Sequence, residues 1–311
     1  MNTFNLLIDE PINSGVLNKF VKKSRLHNEN VTFEELVSRD ILNLKSDQLP
    51  IGSILGLKKI NEETEYFFKA SPCFFSLQRD FYRFEKNFDN QLDEKTLTYI
   101  CDLLNNNFSK NAFKFIVNDK FLLLKTNLNT DVKCFFPEQL NAFANKNFLP
   151  QGADAMFWHQ LINEIQMCLF DTDFNKKRIR EGLPPINTIW FSGGGKLPSN
   201  LSIVHRKKIV TNSFLVKQMS LVDSSLMILP FEAVAPTNPI SHANFYFDLR
   251  VMSEQRELIL NYIEHCFSRN KLKQLQLKII RENSCLVART NWFSFINFSK
   301  QKIFHEFINE N

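Results

Sequence analysis

Three consecutive glycines, Gly193, Gly194 and Gly195, stand in a chain that has only eight glycines among 311 residues. Glycine adopts positive φ freely and lets the backbone approach other groups closely. A chain this sparing of it groups three where the main chain must turn sharply or press against something. Ile186 to Phe191 reads as a strand leading through Ser192 into Gly193-Gly-Gly-Lys-Leu-Pro198. Successive N–H groups in such a loop can cradle an anion, and Lys196 adds a full charge. Asn175, Arg178, Arg180 and Asn187 supply more donors in the same stretch, and arginine suits two-point recognition of carboxylate or phosphate. Two familiar phosphate loops are excluded. The first glycine of a Walker loop would fall at Trp190, and Leu197 stands where it needs Ser or Thr; the GxGxxG spacing of a dinucleotide site is absent. A triplet that only permits a tight strand exit is the competing reading, with Asn175 and Asn187 tying loop backbones together.

The clearest helix precedes this segment. Leu149-Pro-Gln-Gly152 is a turn, Asp154 a candidate N-cap, and Phe157, Trp158, Leu161, Ile162, Ile165, Cys168 and Leu169 recur at helical spacing. His159, Asn163 and Gln166 share a polar face. They form either a wall of the same pocket or a solvated surface. Upstream, Phe4 to Ile8 reads as a buried strand, and the polar stretch from Lys22 to Gln48 reads as helices and loops, with a helix start at Thr32. Glu65 to Phe84 reads as strand, turn and strand, because Pro72 interrupts the apolar run. Thr96 to Phe108 is helical, and Phe113 to Lys125 is a hairpin around Asn118-Asp119. Downstream, strands are expected within Ser202–Val210, Ser225–Leu229 and Phe245–Val251, and helices at 213–220 and 254–267. Leu275, Leu277 and Ile279 alternate with polar residues as in a half-exposed strand, to which Cys285–Arg289 pairs antiparallel. Helices and strands intermix, so the class is α/β, or mixed α+β, with a mixed sheet flanked by helices. The expected division gives an N-terminal α+β region over 1–145 and a C-terminal α/β region over 146–311, which holds the signature segment 149–198.

Composition narrows the function. The hydrophobic fraction of 44% is that of a globular protein. The net charge of +5 is spread along the chain without a basic block, which argues against nucleic acid. Six cysteines without a CxxC pair read as buried free thiols. No secretory signal pattern and no apolar run of roughly 18 to 20 residues is present, so a cytoplasmic protein without a membrane partner is expected. The histidines form no HxH, HExxH or HxxxH pattern and no GxSxG occurs, so no metal, cofactor or catalytic set is assigned.

The segments Lys69-Ala-Ser-Pro-Cys-Phe-Phe-Ser-Leu-Gln-Arg-Asp, Leu149-Pro-Gln-Gly-Ala-Asp, Leu161-Ile-Asn-Glu-Ile-Gln-Met-Cys-Leu, Gly182-Leu-Pro-Pro-Ile-Asn-Thr-Ile-Trp and Gly193-Gly-Gly-Lys-Leu-Pro together resemble a proteobacterial family. Its members are described as uncharacterised, as Rpf-type regulatory proteins or as cofactor-independent phosphoglycerate mutase-like proteins. Asn175-x-x-Arg178, Gly182-Leu-Pro-Pro-x-Asn187 and Gly193-Gly-Gly-x-x-Pro198 are similar to a segment in one domain of the archaeal-type mutases. That resemblance implies a two-metal phosphoryl-transfer site with Asp and His ligands and an Asp-Gly motif ending the first strand. Ile8-Asp9-Glu10-Pro11 lacks the glycine, and no later segment supplies the ligand clusters. The expectation is therefore a non-catalytic or regulatory protein. It would bind a phosphorylated or carboxylated metabolite through Asn175, Arg178, Asn187, Gly193, Gly194, Gly195 and Lys196. Two alternatives stay open: a divergent metal-dependent mutase or phosphatase, and a protein-binding scaffold whose signature is purely structural.

Overall fold

A computed structural model describes residues 2–8, 25–44, 49–59, 65–78, 81–108, 113–128, 130–142, 148–197, 208–222, 226–231, 243–249, 253–268, 275–281 and 284–290. The chain folds as two compact units, Met1–Asn43 with Ser202–Asn311, and Leu44–Leu201. The first is made of two chain segments that bracket the second, so they are called here the flanking and the inserted unit. The division expected between 145 and 146 falls elsewhere, because a strand at Thr188–Ser192 pairs with one at Tyr66–Gln78 inside a single sheet.

The flanking unit is a mixed seven-stranded sheet. Its strands are β1 (Asn2–Leu7), β2 (Arg25–Asn30), β8 (Lys208–Thr211), β9 (Met227–Pro230), β10 (Ala243–Asp248), β11 (Leu275–Arg281) and β12 (Ser284–Thr290), in the order β2-β12-β11-β1-β10-β8-β9. The five strands from β11 to β9 run parallel, and β12 and β2 add antiparallel at one edge. Pleating sends alternate side chains to opposite faces. Phe4, Leu6, Phe245, Phe247, Leu277 and Ile279 meet Ile259, Tyr262 and Ile263 of α7 (Ser253–Ser268). The other face carries α1 (Phe33–Leu42) and α6 (Phe214–Val222), which touch each other. Thr32 caps α1 with a capping box shared with Glu35. Lys278 of β11 reaches Asp40 of α1 at 2.8 Å. Gln276 and Lys278, expected on a solvated face, are both buried. The polar strand β2, which composition assigned to helix and loop, is the sheet's outer strand, where charge and polarity discourage pairing with another chain.

The inserted unit is built on β3 (Tyr66–Gln78), with β4 (Phe81–Asn87), β5 (Phe113–Asn118), β6 (Phe121–Thr126) and β7 (Thr188–Ser192), all antiparallel. Its helices are α2 (Ile51–Gly56), α3 (Glu94–Phe108), α4 (Ala155–Phe170) and α5 (Asp173–Arg180). Lys69 has partners Leu123 and Ser192, and Cys73 has partners Asn87 and Thr188. Hence β6 and β4 follow each other along one edge of β3 while β7 occupies the other. Pro72 does not break β3. Its carbonyl accepts from Phe88 N–H on the β4 side, and a strand residue's N–H points the same way as its C=O. The missing donor therefore faces the gap between β6 and β4 and costs no ladder bond. Trp158, Leu161, Ile165 and Leu169 of α4 pack with Phe68, Ile189, Trp190 and Phe191 in the core.

The architecture is therefore mixed α/β with helix-flanked sheets. Among the described residues no helix is long and apolar enough to cross a membrane.

Candidate functional site

Thr172 accepts from the N–H of Asn175 and starts α5. The helix places Asn175 inward and Arg178 at the rim. Asn175 is buried, and its Nδ2 donates to Leu169 O and Ile186 O, both at 2.8 Å, while Oδ1 accepts from Ile186 N–H at 2.9 Å. Leu169 O is one of the carbonyls that the end of α4 leaves without a helical partner. Asn175 therefore clasps α4 to the strand before β7, and both of its N–H groups are committed. Asn187 has a similar task. Its Oδ1 accepts from Phe75 N–H at 3.0 Å and its Nδ2 donates to Phe75 O at 2.8 Å. The side-chain amide extends the β7 ladder at the point where the β3–β4 register shifts, between Phe74 and Phe75.

The glycine triplet turns its carbonyls, rather than its N–H groups, to a partner. Gly193 O accepts from Gly52 N–H at 2.8 Å, and Gly195 O accepts from Ser53 Oγ at 2.6 Å. Gly52 lies in the first turn of α2, whose start has no side-chain cap, so the triplet supplies an acceptor for an otherwise orphan donor. Gly193 has φ +58°, and a Cβ on Gly194 would lie 2.0 Å from the Phe68 ring. Gly193 and Gly194 line a hollow of about 20 Å³ with Leu49, Phe68, Val132, Cys134 and Phe136. That holds about one water, not a metabolite. The expected cradle is thus occupied by the protein's own packing. Lys196 is exposed beside it. Pro198 lies outside the described residues. Of the polar positions on α4, His159 Nε2 meets Pro150 O at 2.8 Å, Gln166 Nε2 donates to Thr188 Oγ1 at 2.7 Å, and Asn163 is exposed.

Arg178 differs from these residues. Its guanidinium carbon lies 5.1 Å from the Phe88 ring centroid and 5.6 Å from that of Phe174, and Nε donates to Pro184 O at 3.0 Å. Burial pulls its pKa down, with Glu181 pushing the other way. No acceptor among the described residues takes a hydrogen bond from its two terminal amino groups. Lys86 Nζ stands 5.3 Å from the same Phe88 ring, and the Tyr99 ring lies tilted against Phe174 with centroids 5.4 Å apart. Arg180 is exposed, its Nε turned to Lys176 O. Sequence reasoning found Arg178 but missed its aromatic walls. Phe174 was within reach as the residue four before it on one helix, whereas nothing in the sequence ties Phe88 to it.

A second polar group lies under β3. Lys69 Nζ and Asp89 Oδ2 are 2.8 Å apart with side chains 4% and 3% exposed. Ser71 Oγ and Asn87 Nδ2 also donate to Asp89 Oδ2. Burial pushes the Asp89 carboxyl up, but Lys69 and these hydrogen bonds outweigh it and hold the pKa below the usual range. Burial pushes the Cys101 thiol up to about 11 and those of Cys134 and Cys285 up to about 12, which leaves them protonated and weakly nucleophilic. Among the described residues no group of three or more His, Cys, Asp or Glu is placed to hold a metal ion.

These features define a mixed α/β protein with a stacked arginine at the rim of its inserted unit. No family model matches the chain. It is 32% identical over 77 residues to the 2,3-bisphosphoglycerate-independent phosphoglycerate mutase of Methanosarcina barkeri, covering 25% of this chain and 19% of that protein. It is 33% identical over 72 residues to the enzyme of the same name from Methanosarcina mazei, covering 23% and 18%. The matched stretches thus span under a fifth of the length of these curated relatives. Among solved structures, the cofactor-independent phosphoglycerate mutase from Thermoplasma acidophilum aligns with a TM-score of 0.36 at 13% identity over 94% of this chain and 90% of that one. The PH0037 protein from Pyrococcus horikoshii aligns with a TM-score of 0.44 at 10% identity over 93% and 87%. About a quarter of the chain is therefore similar in sequence to cofactor-independent phosphoglycerate mutases.

Proposed function

We propose that this chain is a cytoplasmic, regulatory and non-catalytic relative of the mutases that binds a phosphorylated or carboxylated metabolite through Arg178. One observation carries the proposal: a guanidinium fixed between Phe88 and Phe174, tied at Nε, with both terminal amino groups uncommitted among the described residues. Stacking and the Nε bond hold the planar fork in place, so little rotamer freedom is left to lose when a carboxylate or phosphate docks two-pronged. Lys86, beside the same ring, adds positive charge to the approach. Of the seven signature residues, the reading rests on Arg178 and its walls: the side chains of Asn175 and Asn187 bond to the backbone, the carbonyls of Gly193 and Gly195 meet α2, and exposed Lys196 is a further positive charge of the signature.

The test is calorimetry of ligand-free protein against 3-phosphoglycerate and inorganic phosphate. Saturable binding is expected, weakened about tenfold or more in Arg178→Ala, which corresponds to losing a charged hydrogen bond of about 1.5–3 kcal/mol. Arg178→Lys, which keeps the charge but not the fork, should fall between. An absence of heat with either anion, or an Arg178→Ala variant that binds as well as the parent, would reject the reading.

A second reading, a scaffold with a purely structural signature, draws on the clasps made by Asn175 and Asn187. It expects Arg178→Ala to change stability or partner binding while no anion affinity exists to lose.

A further inference from the structure

The outer face of α4 carries large apolar side chains in water: Met156 is 77% exposed, Met167 79% and Phe170 81%. Gln160 and Asn163, also exposed, complete the stripe. Steps of four, three, four and three residues from Met156 to Phe170 make a seam of the kind that faces another helix. The opposite face of α4 is already buried through Trp158, Leu161, Ile165 and Leu169. A helix apolar on both sides is built to be covered on both. We propose that the cover is a second copy of this chain, with two α4 helices packed antiparallel about a two-fold axis at Asn163.

The stripe itself selects that occupant. An isologous contact must be complementary to its own reverse. Asn163 lies seven residues from Met156 and seven from Phe170, so reversal about Asn163 lays Met156 on the partner's Phe170 and Phe170 on the partner's Met156. Asn163 then faces its own copy. An amide carries donor and acceptor on one side chain and can pair with itself, which a lysine or a glutamate at that position could not do. Gln160 falls beside the partner's Met167, so the amides sit inside the seam and fix register while the apolar ends close it. The antiparallel arrangement also sets the two helix dipoles head to tail. One helix of 16 residues spans about 24 Å, which matches a small interface and a reversible dimer rather than a permanent one.

Sedimentation of the full chain across a wide concentration range should show a monomer–dimer equilibrium. Phe170→Glu and Met167→Glu should each weaken it about tenfold or more, and Met167→Leu should leave it nearly unchanged. Both positions are on the surface, so circular dichroism of the three variants should match the parent. Asn163→Cys should cross-link to its own copy under mild oxidation more readily than Gln160→Cys. Three outcomes overturn the proposal: a monomer at every concentration, a dimer indifferent to Phe170→Glu, or a dimer in which Asn163→Cys fails to cross-link. A monomer that captures some other molecule on this face counts among them.

Discussion

Lys69 and Asp89 meet inside the inserted unit almost wholly out of water. Two charges removed from solvent are held at a cost, and their attraction offsets it only while both are present and hydrogen-bonded. Ser71 and Asn87 complete the carboxylate's partners. Asp89→Asn should therefore lower the unfolding free energy by about 3–5 kcal/mol. Replacing both residues by apolar ones of similar volume should recover much of that loss. Urea denaturation of the parent and the two variants measures it, and an Asp89→Asn protein as stable as the parent contradicts it. The pair also sets a pH response. The folded-state pKa of Asp89 is depressed, so its contribution is complete above the unfolded value near 3.9. It disappears as pH falls through the lower folded-state value. In acid the parent should lose stability steeply, whereas a variant with the apolar pair should lose less.

At the scale of elements, the turn after β7 is held by contact with α2 and β3. Gly194→Ala would drive a methyl group into the Phe68 ring, where its Cβ has only 2.0 Å. Overpacking of this kind costs about 1–3 kcal/mol. Lys196→Ala, on an exposed side chain two residues away, should stay within about 0.5 kcal/mol. Equal effects on stability would refute this account of the triplet. The same elements indicate what one sequence can convey. Three glycines in a glycine-poor chain marked a place where backbone meets backbone, and the periodicity of α4, α3 and the β5–β6 hairpin was readable because each buries one clear face. The identity of the partner against that backbone was not readable, since Gly52, Ser53 and Phe68 lie more than a hundred positions upstream. Pro72 misled because the cost of a proline in a strand depends on which edge its missing N–H faces, and pairing alone decides that. Lys278 misled because a helix from the other end of the chain meets it through Asp40. Helix α5 was missed because Gly182, Pro184 and Pro185 crowd its end and its apolar content is low. Arg178 was found by residue type, and its aromatic walls came only with the fold.

At the scale of the molecule, the inserted unit is one continuous stretch with its own sheet and aromatic core. A fragment spanning Leu44–Leu201 should therefore fold alone and unfold cooperatively in urea, and a fragment without that transition would show that the flanking unit is needed. The flanking unit has no such independence. Its strand β1 lies between β10 and β11, so Leu7 is registered with Asp248 and Ile280. At roughly 5–20 residues per second of synthesis, those partners leave the ribosome tens of seconds after β1 does. The inserted unit can close during that interval. Phe4 and Leu6, fully buried at the end, spend it as an apolar strand without neighbours. Strand β1, made before the other described strands, is thus among the last of them to be paired, and the nascent chain is most open to holdases and to misassembly while the centre of its larger sheet waits for its other half.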